Sequence, residues 1–542
     1  MKLLKVAVAT IVAACALDAL AAFERTVDNV VALTNALTEL SALDSNGKTG
    51  ARVWLQPGIY NLSGVYMSAT HHLDIPSCSG GLVAGLGEGP EDTILLGGGE
   101  AEAHGVVKMG GGSNWSFNTI SNLTVTGGDT SSAGGGISGA SSLEYRNLIV
   151  SNNVARTSNN GSGGGGCSLG RAFGCLFANN RTTQRWGGGF VVSGRSNRNE
   201  NEGQGAWNCV FVGNFAAQNG GGLAIDGGGQ CHDCCFTNNT ASSGGGGVYV
   251  QQVDYATFNG TPLKSKIIGC SFAGNRGKGA GFLAASLVFV SNCVFAANSG
   301  SSTAVLGDIK DSKFESNTNT EGIVCNSSME RCMVKDNVVP NRYATGIDYC
   351  EDGAAIRTNV NCLIVLNGFA SEYGKILYRK ACVNCTVLDN YMPSGGNFGH
   401  LSRQCIFWNC VLSGNRIGTT TYRDVRTTAS GVAVAVAMTN CVFSTSDISA
   451  GETAADGTVS HEGVSNCRKI AAANLKFVDA SNGDYTPTTR SPLYGTGCAD
   501  DWILSLVGDK DLAGNQRMFG GGLDIGAYEC QLNKPGAMLI VW

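Results

Sequence analysis

Apolar and polar positions alternate along this chain in a short recurring unit, Cys-x-Φ-x-x-Asn, where Φ is apolar. It reads CLFANN at Cys175–Asn180, CVFVGN at Cys209–Asn214, CCFTNN at Cys234–Asn239, CSFAGN at Cys270–Asn275 and CVFAAN at Cys293–Asn298. It continues as CMVKDN at Cys332–Asn337, CLIVLN at Cys362–Asn367, CTVLDN at Cys385–Asn390 and CVLSGN at Cys410–Asn415. SKFESN at Ser312–Asn317 and NLIVSN at Asn147–Asn152 lack the cysteine. The first and third positions lie two apart, so on a strand they share one face. Cysteine and its apolar partner are therefore predicted to fill a core layer. The closing Asn tolerates left-handed backbone and is predicted to make the turn.

A glycine-led tetrad follows each sextet: GGGF at Gly187–Phe190, GGGL at Gly220–Leu223, GGGV at Gly245–Val248 and GAGF at Gly279–Phe282, with GGGI at Gly134–Ile137 opening the series. Sextets start 19 to 36 residues apart. A fixed strand-turn unit with variable spacers predicts a solenoid whose insertions project as loops. Stacked at ~4.8 Å, its coils would form an inner cysteine ladder and an asparagine ladder at one corner.

Upstream, Val27–Leu43 carries Val30, Val31, Leu33, Leu37, Leu40 and Leu43 at helical spacing, which predicts an amphipathic helix covering the first coil. Ala51–Met67, with Pro57-Gly58 inside it, reads as strand, turn, strand. This stretch and Leu82–Gly98 resemble the opening coils of the pectin-lyase-like superfamily. That resemblance implies an all-β fold, a right-handed parallel β-helix solenoid with an N-terminal capping helix. The alternation of tetrads with Phe177, Phe211, Phe236, Phe272, Phe295 and Phe314, each heading Phe-x-x-Asn, resembles the repeats of chlamydial polymorphic outer-membrane proteins. Near the end, Lys476–Gly497 and Asp511–Glu529, closing on Asp524-Ile525-Gly526-Ala527-Tyr528-Glu529, resemble the choice-of-anchor Q segment of bacterial surface β-helix proteins. A cap strand with Asp524 and Glu529 as polar edges would look the same.

Residues 1–21 read as an export signal: Lys2 and Lys5, an apolar run, then Ala19-Leu20-Ala21. Val12-Ala13-Ala14-Cys15 also resembles a lipoprotein box, which would lipidate Cys15. Residues 22–445 would then form the β-helix with its cap, 446–531 the C-terminal segment and 532–542 a tail ending in MLIVW. No later stretch is long and apolar enough to span a bilayer as a helix. The 22 Cys of an exported chain suggest disulfides, yet ladder spacing fits stacked thiols better, leaving off-ladder Cys498 and Cys530 as the disulfide candidates. Cys231-His232-Asp233-Cys234 with Cys235, and Cys382-x-x-Cys385, have metal-like spacing without a second pair, so no metal is expected. A net charge of −5 argues against nucleic acid.

Asn-Thr-Asp and Gly-His-Gly tripeptides of a galacturonan-hydrolase-like site are absent, and the one Asp-Asp, Asp500-Asp501, lies outside the repeats. Asp348, Glu351 and Asp352 with Arg357 form the one loose acidic cluster near a cation in the repeats. Asp226 and Asp308 read as turn residues, and the histidines as scattered. The sequence therefore favours an exported, monomeric bacterial cell-surface or outer-membrane β-helix without a cofactor, adhesin-like or glycan-binding and non-catalytic. The alternatives are a polysaccharide lyase or glycoside hydrolase on an acidic polysaccharide, with Ca²⁺ if a lyase, and a structural envelope component. A stripe of aromatics or carboxylates over adjacent coils would mark a saccharide surface.

Overall fold

A computed structural model describes residues 23–111, 118–157, 163–193, 204–251, 257–258, 261–262, 264–341, 346–370, 375–392, 400–418, 421–422, 436–445, 458–461 and 463–532. The signal stretch with Cys15, all of 446–457 and the MLIVW end lie outside them.

The chain is an all-β parallel β-helix. Each strand pairs in parallel with its counterpart one coil later, as Leu176–Ala178 does with Val210–Val212 and that strand with Cys235–Thr237. A coil carries four short strands. In one coil the first is Arg171–Phe173, leading into Cys175; the second, Leu176–Ala178, is the sextet's own; the third is Arg181–Thr182; the fourth, Phe190–Ser193, follows the glycine triplet. The helix Val30–Ala42 covers the first coil, as its spacing predicts. Asn29 caps it by accepting from the Ala32 N–H at 2.9 Å, and Leu33, Ala36, Leu37 and Leu40 are buried.

The glycine triplets have a steric cause. Gly187 has φ +67°, and a Cβ on Gly188 would lie 2.4 Å from the Gly221 carbonyl oxygen of the next coil, so only glycine permits this stacking.

Inside, the phenylalanines stack. Phe177, Phe211, Phe236, Phe272, Phe295 and Phe314 are fully buried, with successive ring centroids 4.7–4.9 Å apart and planes within 8°. The asparagines form the expected ladder, with one correction. The left-handed residue is the one before each Asn, such as Asn179, Gly213 or Asp389, while the Asn points inward and is buried. Asn214 Nδ2 donates to Asn239 Oδ1 at 2.9 Å and to the Phe177 carbonyl at 2.9 Å, and Asn214 Oδ1 accepts from the Asn180 N–H. The side chain thus satisfies backbone groups that the corner strips of strand partners.

The cysteine ladder is also a hydrogen-bonded column. Cys209 Sγ donates to the Trp207 carbonyl (3.3 Å) and accepts from the Cys175 N–H (3.5 Å). Ser312 Oγ replaces it in the same role, bonding the Cys293 N–H and the Lys310 carbonyl. Cys467 adds a rung. Burial pushes ladder thiols such as Cys175, Cys209 and Cys293 up, which disfavours the reactive thiolate there. Cys498 and Cys530 are free, against the disulfide expectation. The Cys498 backbone is held by Asn409, and the Cys530 N–H by Asp524.

Coil pairing runs past residue 445 to Val464–Lys469. The segment after it departs from the expected cap strand: it lies along the flank of the last coils as a strap. Ile503, Val507 and Leu523 pack on Val360 and Val383, and Leu475, Leu493 and Ile525 pack on Val411 and Val442. The left-handed asparagines that precede the ladder cysteines pin it. Asn384 Nδ2 bonds the Asp524 carbonyl, Asn440 Nδ2 the Thr496 carbonyl, and Asn409 both donates to and accepts from the Cys498 backbone.

Asp524 and Glu529 are consequently buried rather than edge residues. Asp524 accepts from the Gly495 and Cys530 N–H groups, Asp511 from those of Asn515 and Glu529, and Arg517 sits 3.3 Å from Glu529 while bonding Asn361 Oδ1 at 2.7 Å. Burial and Asp524 raise the Glu529 carboxyl to about 7, with Arg517 opposing. Glu529 keeps a proton in the fold that it releases when unfolded above about 4.5, so its contribution is complete below that pH and is lost as pH rises through about 7. The melting midpoint should fall between pH 5 and pH 8, by up to ~3 kcal/mol of stability from this group. Glu529→Gln should flatten that slope in thermal melts; an unchanged slope would place the titration elsewhere.

Candidate functional site

The four residues of the acidic cluster are distributed across the coil wall. Asp348 lies on the fourth strand of its coil, Gly346–Tyr349, facing inward with no exposure. Glu351 is tied to Asn326 by two hydrogen bonds. Arg357 opens the strand Arg357–Val360, half-buried at the corner. Glu351 and Asp352 are both exposed, and Asp352 meets partners from the next coil. Asp226 and Asp308, expected in turns, lie within the strands Leu223–Asp226 and Ser299–Lys310.

Asp352 accepts from the Tyr378 hydroxyl, and Arg379 Nη1 stands 3.5 Å from it. Arg379 is anchored by Nη2 on the Ala354 carbonyl. Tyr378 sits on the outward row of the fourth ladder, where register places Cys325, Tyr349, Tyr378 and Arg403 side by side. Lys375 Nζ lies 4.7 Å from the Tyr378 ring centroid, and the Arg403 guanidinium 5.9 Å. Burial and the nearby Arg403 charge lower the Lys375 ammonium below its ordinary value, and the Tyr378 phenol is raised by burial and Asp352. The cluster thus holds three cations, one carboxylate and a phenol. Asp352 is met by one hydroxyl and by the Arg379 guanidinium instead of further carboxylates, so these side chains do not fit Ca²⁺.

A second surface runs along the first ladder. The outward residue two before each sextet forms a row in which Arg146, Phe173, Trp207 and His232 are register partners. Arg146 lies 4.5 Å over Phe173; Phe173 and Trp207 stack at 5.0 Å, and Trp207 and His232 at 6.0 Å with planes 6° apart. Glu144, Arg171, Gln230 and Lys266 flank it, with Gln230 Oε1 2.9 Å from His232 Nε2. This is the sought stripe. Its signal was present two positions before the cysteines, in Phe173, Trp207 and His232. His232 therefore points outward while Cys231 and Cys234 face the core and Cys235 is exposed, so the metal-like spacing does not converge. A third grouping joins Tyr66, His72 and His104, with centroids 4.6–5.9 Å apart, but His72 is buried with both ring nitrogens engaged.

No protein-family profile and no curated protein matches the chain. Among solved structures it is similar to a mannuronic acid specific polysaccharide family 6 lyase from human gut microbiota, at 11% identity and TM-score 0.32, over 83% of this chain and 92% of that one. It is similar to tailspike protein 3 of bacteriophage CBA120, at 13% and 0.32, over 78% of this chain and 62% of that one, so it spans under two thirds of the tailspike. The A-module of the Azotobacter vinelandii mannuronan C-5 epimerase follows at 12% and 0.27, over 70% and 94%. Those activities are statements about those proteins. Among the described residues no helix is long and apolar enough to cross a membrane.

Proposed function

We propose that the protein acts on an anionic, uronate-containing polysaccharide, cleaving it by β-elimination at the Lys375–Tyr378–Arg403 cluster. The observation that carries this reading is Lys375, a partly buried amine held over Tyr378 and depressed by burial and by Arg403. Elimination requires a cation to neutralise the uronate carboxylate and a base for the proton beside it. Arg403 and Arg379 supply the first. Lys375, in its deprotonated form, takes the proton and returns it to the glycosidic oxygen as the carbon–oxygen bond breaks. Tyr378 holds Asp352 and presents Lys375. Lys375→Ala should lower release of unsaturated uronide, read by ultraviolet absorbance with and without Ca²⁺, by about 100-fold or more. Wild-type protein releasing none from any uronate polymer would overturn the reading.

A non-catalytic glycan-binding role is the second reading, favoured by the Phe173–Trp207–His232 stripe, whose stacked faces and flanking cations suit a charged sugar chain. Binding without product, lost in Trp207→Ala and kept in Lys375→Ala, would select it. Under either reading we place the protein outside the cytoplasm, through the signal at residues 1–21 or lipid on Cys15. The sequence resemblances to chlamydial-type repeats and to the choice-of-anchor Q segment are what support a cell-surface location.

A further inference from the structure

Inside the solenoid, Lys380, Asp348 and Asn359 form a sealed triad. All three have no exposure, as does Ser327, whose carbonyl accepts from Lys380 Nζ at 2.7 Å. Lys380 Nζ lies 2.7 Å from Asp348 Oδ1, and Asn359 Nδ2 donates to Asp348 Oδ2 at 2.6 Å. Asn359 Oδ1 accepts from no protein group. Asp348 sits between Val324 and Leu377 on the fourth ladder, and Asn359 between Met329 and Cys382 on the first. An amine, a carboxamide and a bridging carboxyl are thus held together in an apolar, water-excluding cage. A buried ion pair of this kind carries a desolvation cost of several kcal/mol, and the cost disappears if the amine becomes an amide.

We propose that Lys380 and Asn359 join in an intramolecular isopeptide bond, with Asp348 relaying the protons. The Lys380 Nζ–Asn359 Cγ bond forms and the Asn359 Cγ–Nδ2 bond breaks. Of the three protons on the Lys380 ammonium, one stays on the new amide, one passes through Asp348 to the departing nitrogen, and one remains on Asp348. That nitrogen leaves as ammonia, and Asp348 ends protonated, so no charge stays buried. Nothing is oxidised or reduced, and no co-reactant is needed. Burial raises the Asp348 carboxyl, so it can hold a transferred proton. Asp348 gathers the amine and the carboxamide on its two oxygens, and reactants held together in this way react as if at high concentration. The product staples the coil of Asn359 to the following coil. This modification is independent of any activity at Lys375.

The test is mass spectrometry of the full chain, folded, then denatured and reduced. The expected result is a mass one ammonia below that calculated for the mature sequence, and a proteolytic fragment joining Lys380 to Asn359. Asp348→Asn should restore the full mass and remove the joined fragment. Full mass in the folded wild type, or loss of water with a Lys380–Asp348 link instead, would overturn the proposal. Because the wild-type mass decides, a variant that fails to fold does not rescue it.

Discussion

Asn275→Asp should be among the most damaging single-atom exchanges in this protein, at about 3–5 kcal/mol. Asn275 Nδ2 donates to the Phe236 carbonyl at 2.9 Å and to Asn298 Oδ1 at 3.0 Å, while Oδ1 accepts from the backbone and side chain of Asn239. Aspartate keeps the shape and reverses one end: its second oxygen faces two acceptors where a donor stood. The group must then hold a proton or a buried, unpaired charge, and either outcome leaves neighbouring polar groups unsatisfied. The coil from Phe236 to Asn298 would lose its corner. Urea or thermal unfolding reads the effect directly, and an unchanged midpoint would mean that the ladder contributes no stability.

Phe272→Ala should cost a similar amount, about 3–5 kcal/mol, for a different reason. Its ring is fully buried between Phe236 at 4.9 Å and Phe295 at 4.7 Å. Truncation removes the burial and both stacking partners, and leaves a cavity that the rigid backbone ladder cannot close. Among the described residues Phe314 ends the stack with one ring neighbour, Phe295, so Phe314→Ala should cost less. Equal losses at both positions, measured in the same denaturant, would show that stacking adds nothing beyond burial.

The coil could be read from sequence because it is written in residue types with few substitutes. Only glycine fits where the next coil's carbonyl lies 2.4 Å from a Cβ at Gly188, and an inward Asn is the side chain that can donate twice and accept along the axis. The misreading of which residue turns the corner arises because Asn commonly does both jobs; here the left-handed positions before the ladder asparagines are filled as variously as Ala297, Ser316 and Leu366. The Lys375 cluster was less accessible to the same reasoning. Asp348 and Asp352 lie four apart in sequence yet fall on opposite sides of the wall, one facing the core and one solvent. Lys375 and Arg403 meet through coil register, which no local spacing encodes. The strap was misread for a related cause: the DIGAYE motif is polar at both ends, and Glu529 is buried against Arg517, which in turn bonds Asn361, 156 residues away.

The strap gives the outward row of the first ladder two tenancies. From Val360 through Val383 to Trp408 the row is roofed by Ile503 and Val507, with Trp502 standing edge-on to Trp408 at 5.2 Å. From Phe173 to His232 the same row carries stacked rings. The polypeptide is in this sense its own first guest: it occupies one stretch of a continuous track and thereby fixes where any sugar chain following that track must stop.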